Sequence, residues 1–256
     1  MASIYKYYAP TDNNRNALLD ECFWFSKSKI LNDPFDLCAR VIELFPNFKN
    51  ALISRYGDIE SYYDKANDYA ICCFTSDYLN KHMWALYASS YQGWCLEFDD
   101  IHIIDGAATG VPPKFYDVHY YNDLPDFNNP NTEIEISTHL GSHKIKDFLK
   151  DPKDEERLFA YLLSLKEERI WGTEAESRIF LGDTYYTLHK DADKLANGYA
   201  IPWNAGKLKG IIMGHNISKA DKILLTKITK ERGITLRQIH PIIPSVDFTL
   251  EVETIL

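Results

Sequence analysis

Hydrophobic positions recur every second residue in some stretches of the chain and every three or four in others, so strands and helices are interleaved. Ile4-Tyr5-Lys6-Tyr7-Tyr8 reads as a short strand ended by Pro10, residues 13–20 as a short helix, and Phe23-Trp24-Phe25 as a second strand. Asp33 before Pro34 is pushed out of the helical region, and Pro34 suits a first helical position. A helix is therefore expected there, burying Phe35, Cys38, Ile42 and Phe45 as one stripe. Residues 69–74 have the composition of a buried strand. Asn80 is placed to cap a helix reaching about Ser90, with Trp84, Tyr87 and Tyr91 on one face and Gly93 ending it. Trp94, Leu96 and Phe98 then alternate with Cys95, Glu97 and Asp99, the pattern of a half-buried strand. Strands are expected at 115–121 and 174–181, and a long helix at 153–169 with Leu158, Phe159, Leu162, Leu163 and Leu165 on its apolar side. Residues 122–133, rich in Asn, Asp and Pro, read as a surface loop, and 183–206 are weakly patterned. The last elements are a strand at 208–213, a helix at 218–232 and a strand at 234–239. Ser218 followed by Asp221 suits the helix start, and Gly233 suits its stop. Parallel pairing of those strands would make a right-handed βαβ unit. The pattern predicts an α/β protein of mixed α+β type, with small sheets flanked by helices. No repeat, low-complexity tract or linker divides it, so residues 1–256 read as one domain.

Composition narrows the function. A chain of 256 residues with 45% hydrophobic side chains is long enough to bury a sizeable core. Tyr supplies 17 of the aromatics, and each buries area while keeping a hydroxyl for a polar cleft. The net charge of −9 opposes attraction of a phosphate backbone through the overall field, which argues against a dedicated DNA-binding module. The five cysteines, Cys22, Cys38, Cys72, Cys73 and Cys95, are odd in number and lack C-x-x-C spacing. Free thiols, a reducing compartment and no zinc site are expected. The N-terminal residues carry no signal-peptide pattern, and no apolar run is long enough to span a bilayer, so the expected location is cytoplasmic, away from membranes.

The stretch richest in chemistry is Trp171-Gly172-Thr173-Glu174-Ala175-Glu176-Ser177-Arg178-Ile179-Phe180. On a strand, Glu174, Glu176 and Arg178 share one face, and Ala175, Ser177 and Ile179 point toward a core. Two like charges at this spacing repel unless a cation separates them or a ligand uses them. The face is either a solvated charged edge or a carboxylate pair in a cleft beside an anion-binding Arg, and alternation alone leaves both open. A cleft-facing Glu176 is expected to contribute little to stability. The Trp84–Tyr87 face is either core or a stacking platform. Asn32-Asp33-Pro34 is explained by a cap and turn, and Lys6 by a solvated strand lysine. His139 and His143 are separated by Gly141, which weakens a helical metal pair, and no G-x-S-x-G elbow is present.

The motifs taken in order resemble the bacterial domain-of-unknown-function family 2971. They are Tyr5-Lys6-Tyr7, Phe23-Trp24-Phe25-Ser26, Asn32-Asp33-Pro34-Phe35, Cys73-Phe74-Thr75, Met83 to Ala88, Gly93 to Phe98, Trp171 with Glu174, Glu176 and Arg178, and the closing Ile211-Ile212-Met213-Gly214. The Glu-x-Glu, the aromatic-flanked polar residue of the first strand and the middle aromatic cluster are also similar, more distantly, to the layout of ADP-ribosyltransferases. That similarity implies a cleft between small sheets that binds NAD as a substrate. First-strand His or Arg is usual there, and this chain has Lys6 instead; the terminal βαβ unit is no standard part of that fold.

The resemblance implies roles. Glu176 would stabilise the oxocarbenium character of the ribose, and Glu174 would orient the acceptor. Tyr7, Trp84, Tyr87 and Asn32 would hold NAD, with Lys6 or Arg178 meeting phosphate. The acceptor is a protein, a nucleic acid or a small molecule, and bacterial toxins and anti-phage effectors are the setting the resemblance implies. The rival reading is a non-catalytic nucleotide or nucleic-acid sensor. The two differ on whether Glu174 and Glu176 share a pocket with Lys6 and the Trp84 cluster.

Overall fold

The alternating aromatics near the N-terminus build a strand at the middle of the molecule. β1 (Ile4–Tyr8) runs antiparallel to β4 (Trp94–Phe98) along its whole length, from Ile4 opposite Phe98 to Tyr8 opposite Trp94. It meets β3 (Ala70–Thr75) at Tyr5 and Thr75. The computed structural model describes residues 3–27, 30–31, 33, 35, 39–67, 69–99, 103–104, 115–135, 142–148, 150, 152–182, 197–243 and 249–256. In it the strands expected in small sheets are gathered into one mixed sheet of ten, with two further two-stranded pairs.

From one edge, β11 (Gly198–Pro202) pairs with β2 (Cys22–Lys27), β2 with the start of β3, and the order continues through β1 and β4 to β12 (Leu208–Met213), β13 (Thr235–Pro241) and β14 (Leu250–Thr254). A branch leaves β3, where β10 (Glu176–Leu181) pairs along all six residues and carries β5 (Phe115–Asp117) on its far side. β12 and β13 are parallel, as the βαβ unit requires. The helix between them, Lys219–Arg232, starts where the Ser218 hydroxyl accepts from the Asp221 N–H and stops at Gly233 in the left-handed region. Arg15, on α1 (Asp12–Leu19), clamps the buried Asp221 at 2.7 and 3.1 Å.

Both faces of the sheet are covered. Trp94, Leu96 and Phe98 join Phe23, Phe25, Phe74, Leu225 and Leu236 on one side, while Cys95 joins Tyr5, Tyr7, Met83, Trp84 and Ile239 on the other. The expected half-buried β4 is therefore also covered on its outer side at Cys95, where the aromatic cluster packs, while Glu97 is partly covered. A third cluster lies among the helices, α2 (Pro46–Tyr56), α3 (Ile59–Asn67), α5 (Ile145–Phe148) and α6 (Pro152–Leu162), around Phe48, Leu52, Tyr62, Leu158 and Phe159.

Several boundaries differ from the sequence reading. The stripe after Pro34 fails at Phe35, which is 76% exposed; a 3-10 turn at Ala39–Leu44 buries Ile42, and Cys38 lies outside the described residues. The helix of α4 spans Lys81–Leu86 under its Asn80 cap, so Tyr87 sits at its C-cap and Tyr91 in the turn beyond. The strand expected at 115–121 divides at Val118 into β5 and β6 (His119–Tyr121). The hairpin β7 (Glu133–Glu135) with β8 (Ser142–Lys144) and the strands β11 and β14 had no clear pattern. The long helix expected at 153–169 ends at Leu162, and β9 (Leu165–Glu167), paired in parallel with β6, replaces its last turn. A short helix, α7 (Glu168–Trp171), follows, which makes Lys219–Arg232 α8. No described helix is long and apolar enough to cross a membrane.

Candidate active site

The site begins with two strands that part. β1 and β3 pair at Tyr5 and Thr75 only, so the β3 edge beyond is left without ladder partners from β1. Lys6 reaches across, and its Nζ donates to the Cys73 carbonyl at 3.0 Å while standing over the Tyr8 and Phe74 rings. A side chain thus supplies a bond that the backbone ladder does not, as a buried carbonyl requires. The gap opens into a cavity of about 130 Å³ lined by Tyr5, Lys6, Tyr7, Cys73, Tyr87, Lys166, Glu174 and Glu176, among others.

The carboxylates reach it by different routes. Glu174 ends a 3-10 turn, Gly172–Glu174, whose last carbonyl accepts from Thr75 Oγ1 at 2.8 Å and whose Thr173 carbonyl accepts from the Asn80 side chain. Ala175 then takes a left-handed conformation, φ 46°, which costs a non-glycine residue on the order of 1–2 kcal/mol. Glu176 begins β10, and its N–H donates to the Tyr120 hydroxyl at 2.9 Å. The expected shared strand face is thus corrected. Glu174 precedes the strand and Ala175 is exposed, while Glu176 and Arg178 do alternate inward with Ser177 half-buried between them.

What joins the pair is Lys166. Its Nζ donates to Glu174 Oε2 at 2.8 Å and Glu176 Oε2 at 3.2 Å, with the Trp171 ring 4.5 Å away. Arg178 takes the other side of Glu176, Nε to Oε1 at 2.8 Å and Nη2 to Oε2 at 3.1 Å, and its Nη1 donates to the Leu163 carbonyl at 2.9 Å. The Tyr87 hydroxyl donates to Glu174 Oε1 at 2.6 Å. All four charged side chains are buried. The repulsion expected between the two acids is therefore relieved by a cation between them. Burial would raise the Glu176 pKa, but the Arg178 and Lys166 charges and hydrogen bonds from Arg178 and the Cys73 thiol hold it at about 2. It is a fixed anion, suited to stabilising positive charge rather than to moving protons. Burial and the Glu176 charge push the Cys73 thiol well up, so it stays protonated.

Of the residues singled out in the sequence, Lys6, Tyr7, Tyr87, Glu174 and Glu176 line the cavity together. Trp84 is fully buried behind it; its Nε1 donates to the Tyr78 carbonyl at 2.7 Å, and Tyr7 packs edge-on against it at 5.0 Å. Arg178 is fully buried beneath Glu176 and does not reach the lining, which corrects its expected phosphate role. Asn32 lies outside the described residues. Lys166, Tyr120 and Cys73 were not anticipated as site residues. Lys166 was hidden in the apolar run that read as a helix, and its one signal was the charge imbalance of the Glu-x-Glu itself. No group of described residues fits a metal ion. The four cysteines among the described residues are free thiols. No family model, no curated protein and no solved structure matches the chain.

Proposed function

We propose that the chain is an ADP-ribosyltransferase-like enzyme of the family 2971 kind, acting on NAD. The observation that carries this reading is the convergence of Glu174 and Glu176 on one cavity with Lys6, Tyr7 and Tyr87. At about 130 Å³ the cavity is smaller than the roughly 300–1,000 Å³ of sites that enclose a drug-sized ligand. It has room for about the nicotinamide ring, with the ribose at its mouth and the rest of the dinucleotide outside.

In the reaction the bond between ribose C1′ and the nicotinamide nitrogen breaks. Its electron pair leaves with nicotinamide, which departs neutral, and the positive charge passes to the ribose as an oxocarbenium. Water or another acceptor hydroxyl adds at C1′ and releases a proton. The carboxylate oxygens that line the cavity would meet this charge by direct contact, which burial strengthens, while Lys166 and Arg178 balance the pair as a whole. Tyr7 and Tyr87 offer flat walls for the nicotinamide ring, and Lys6 a cation for phosphate. The test is incubation of the pure protein with NAD, following nicotinamide by mass spectrometry. Release above a protein-free control is expected; no release at any protein concentration would sink the enzyme reading.

A second reading, a non-catalytic nucleotide sensor, is favoured by the neutralisation of both acids by Lys166 and Arg178, which leaves the four groups with no net negative charge for a transition state. It predicts NAD binding by calorimetry without nicotinamide release.

A further inference from the structure

Two carboxylates share the cavity, but they are not equally available. A carboxylate has about four acceptor positions. Glu176 accepts twice from Arg178 and once from Lys166, and the Cys73 thiol lies against it. Its positions are filled by the protein. Glu174 accepts once from Tyr87 on Oε1 and once from Lys166 on Oε2, which leaves about half of its capacity open. Glu174 is also held from three directions: its carbonyl by Thr75, its turn by Asn80 and its carboxylate by Tyr87 and Lys166.

We infer that Glu174 is the carboxylate that touches the ligand, and that Glu176 is a positioning residue that holds Lys166 and Arg178 in place. This reverses the assignment taken from the resemblance, and it rests on the NAD reading above. The ligand class follows from the open lone pairs. With about two acceptor positions open on a carboxylate that lines the cavity, Glu174 takes hydroxyl hydrogens, as the ribose 2′- and 3′-hydroxyls of a nucleotide supply. Glu176 also lines the cavity, but with its oxygens taken by Arg178 and Lys166 it acts by setting the place of the Lys166 ammonium.

The experiment compares Glu174→Gln and Glu176→Gln by thermal melt, NAD calorimetry and nicotinamide release. Glu174→Gln is expected to melt below wild type but by less than Glu176→Gln, since Lys166 keeps Glu176 and the amide oxygen still accepts from Tyr87 or Lys166, and to lose about a hundred-fold or more in kcat. Glu176→Gln is expected to melt well below wild type, and its folded fraction to lose kcat by the smaller factor, about tenfold. A folded Glu176→Gln with no turnover beside an active Glu174→Gln overturns the assignment. If wild type releases no nicotinamide, the enzyme reading fails on its own, and the melts and calorimetry decide the assignment. A lower melt for Glu176→Gln with weaker NAD binding in Glu174→Gln upholds it. Equal melts overturn it, and so does Glu174→Gln binding NAD as wild type does or the wild type not binding NAD at all.

Discussion

Arg178 grips Glu176 at two points, Nε to Oε1 at 2.8 Å and Nη2 to Oε2 at 3.1 Å, with both side chains out of water. A buried pair of this kind contributes modestly when whole, because desolvation of both ions offsets most of their attraction. Breaking it is another matter, since the surviving charge is left without compensation. Glu176→Gln takes from Arg178 the carboxylate it grips at two points and from Lys166 one of its two acids. The expected loss is about 3–5 kcal/mol of folding stability, read from urea unfolding at pH 7. This departs from the sequence expectation that a cleft-facing Glu176 contributes little. A loss under about 1 kcal/mol would mean that water or a rotamer change compensates the cations.

The same geometry predicts a pH dependence. The folded pKa of Glu176 is depressed to about 2 from its ordinary 4.5, so the folded state binds fewer protons than the unfolded chain. The stability this supplies is fully present above the unfolded value and is lost as pH falls from about 5 through 2, on the order of 3 kcal/mol in all. Comparing unfolding of wild type and Glu176→Gln across that window isolates the group, since other acids cancel. The difference between the two proteins should shrink as the pH falls. A constant difference would show that the charge is not what the variant loses.

Gly93 ties the fold to the site. A Cβ there would stand 1.9 Å from the Tyr8 carbonyl oxygen and 3.2 Å from the Ala88 Cα, so backbone itself must move. Gly93→Ala should cost about 1–3 kcal/mol as an overpacking change. Because Tyr8 ends β1, whose Lys6 and Tyr7 line the cavity, the variant should also weaken NAD binding relative to wild type. Circular dichroism melts and calorimetry check both effects, and an unchanged melt would mean the turn relaxes freely.

The parts legible in the sequence were those whose cause is local. The βαβ unit at the C-terminus is announced by Ser218, Gly233 and two apolar strands, and it formed with parallel strands. The Asn80 cap likewise needs only its own neighbours. The outer face of β4 was read as open because burial of Cys95 depends on α4 packing over that same face, which alternation along β4 cannot show. The cavity was half legible. Lys6, Tyr7, Tyr87, Glu174 and Glu176 were singled out, but their meeting depends on β1 and β3 parting after one paired position. Lys166 was missed because Leu162, Leu163 and Leu165 continue a helical apolar pattern, while tertiary pairing with β6 pulls the last residues into a strand. Propensity yields to such pairing where the strand buries a charged partner.

Tyr87 offers the most discriminating test of how Glu174 is held. Its hydroxyl donates to Glu174 Oε1 at 2.6 Å, a charge-assisted bond from a residue at the C-cap of α4. Tyr87→Phe removes that oxygen and keeps the ring that walls the cavity. A hydrogen bond to a charged group contributes about 1.5–3 kcal/mol when buried, and Tyr87 is half-buried, so a stability loss near 1–2 kcal/mol is expected. The effect on turnover separates two roles. If the bond only packs α4 against the turn, kcat should follow the melt and recover once the protein is folded at low temperature. If it orients Glu174, kcat should stay about tenfold low at every temperature where the variant is folded, with NAD affinity little changed, because ring contacts persist while the carboxylate drifts from the reacting carbon. Nicotinamide release and calorimetry on the folded variant make the distinction. Full turnover in folded Tyr87→Phe would mean that Lys166 alone is enough to aim the Glu174 carboxylate.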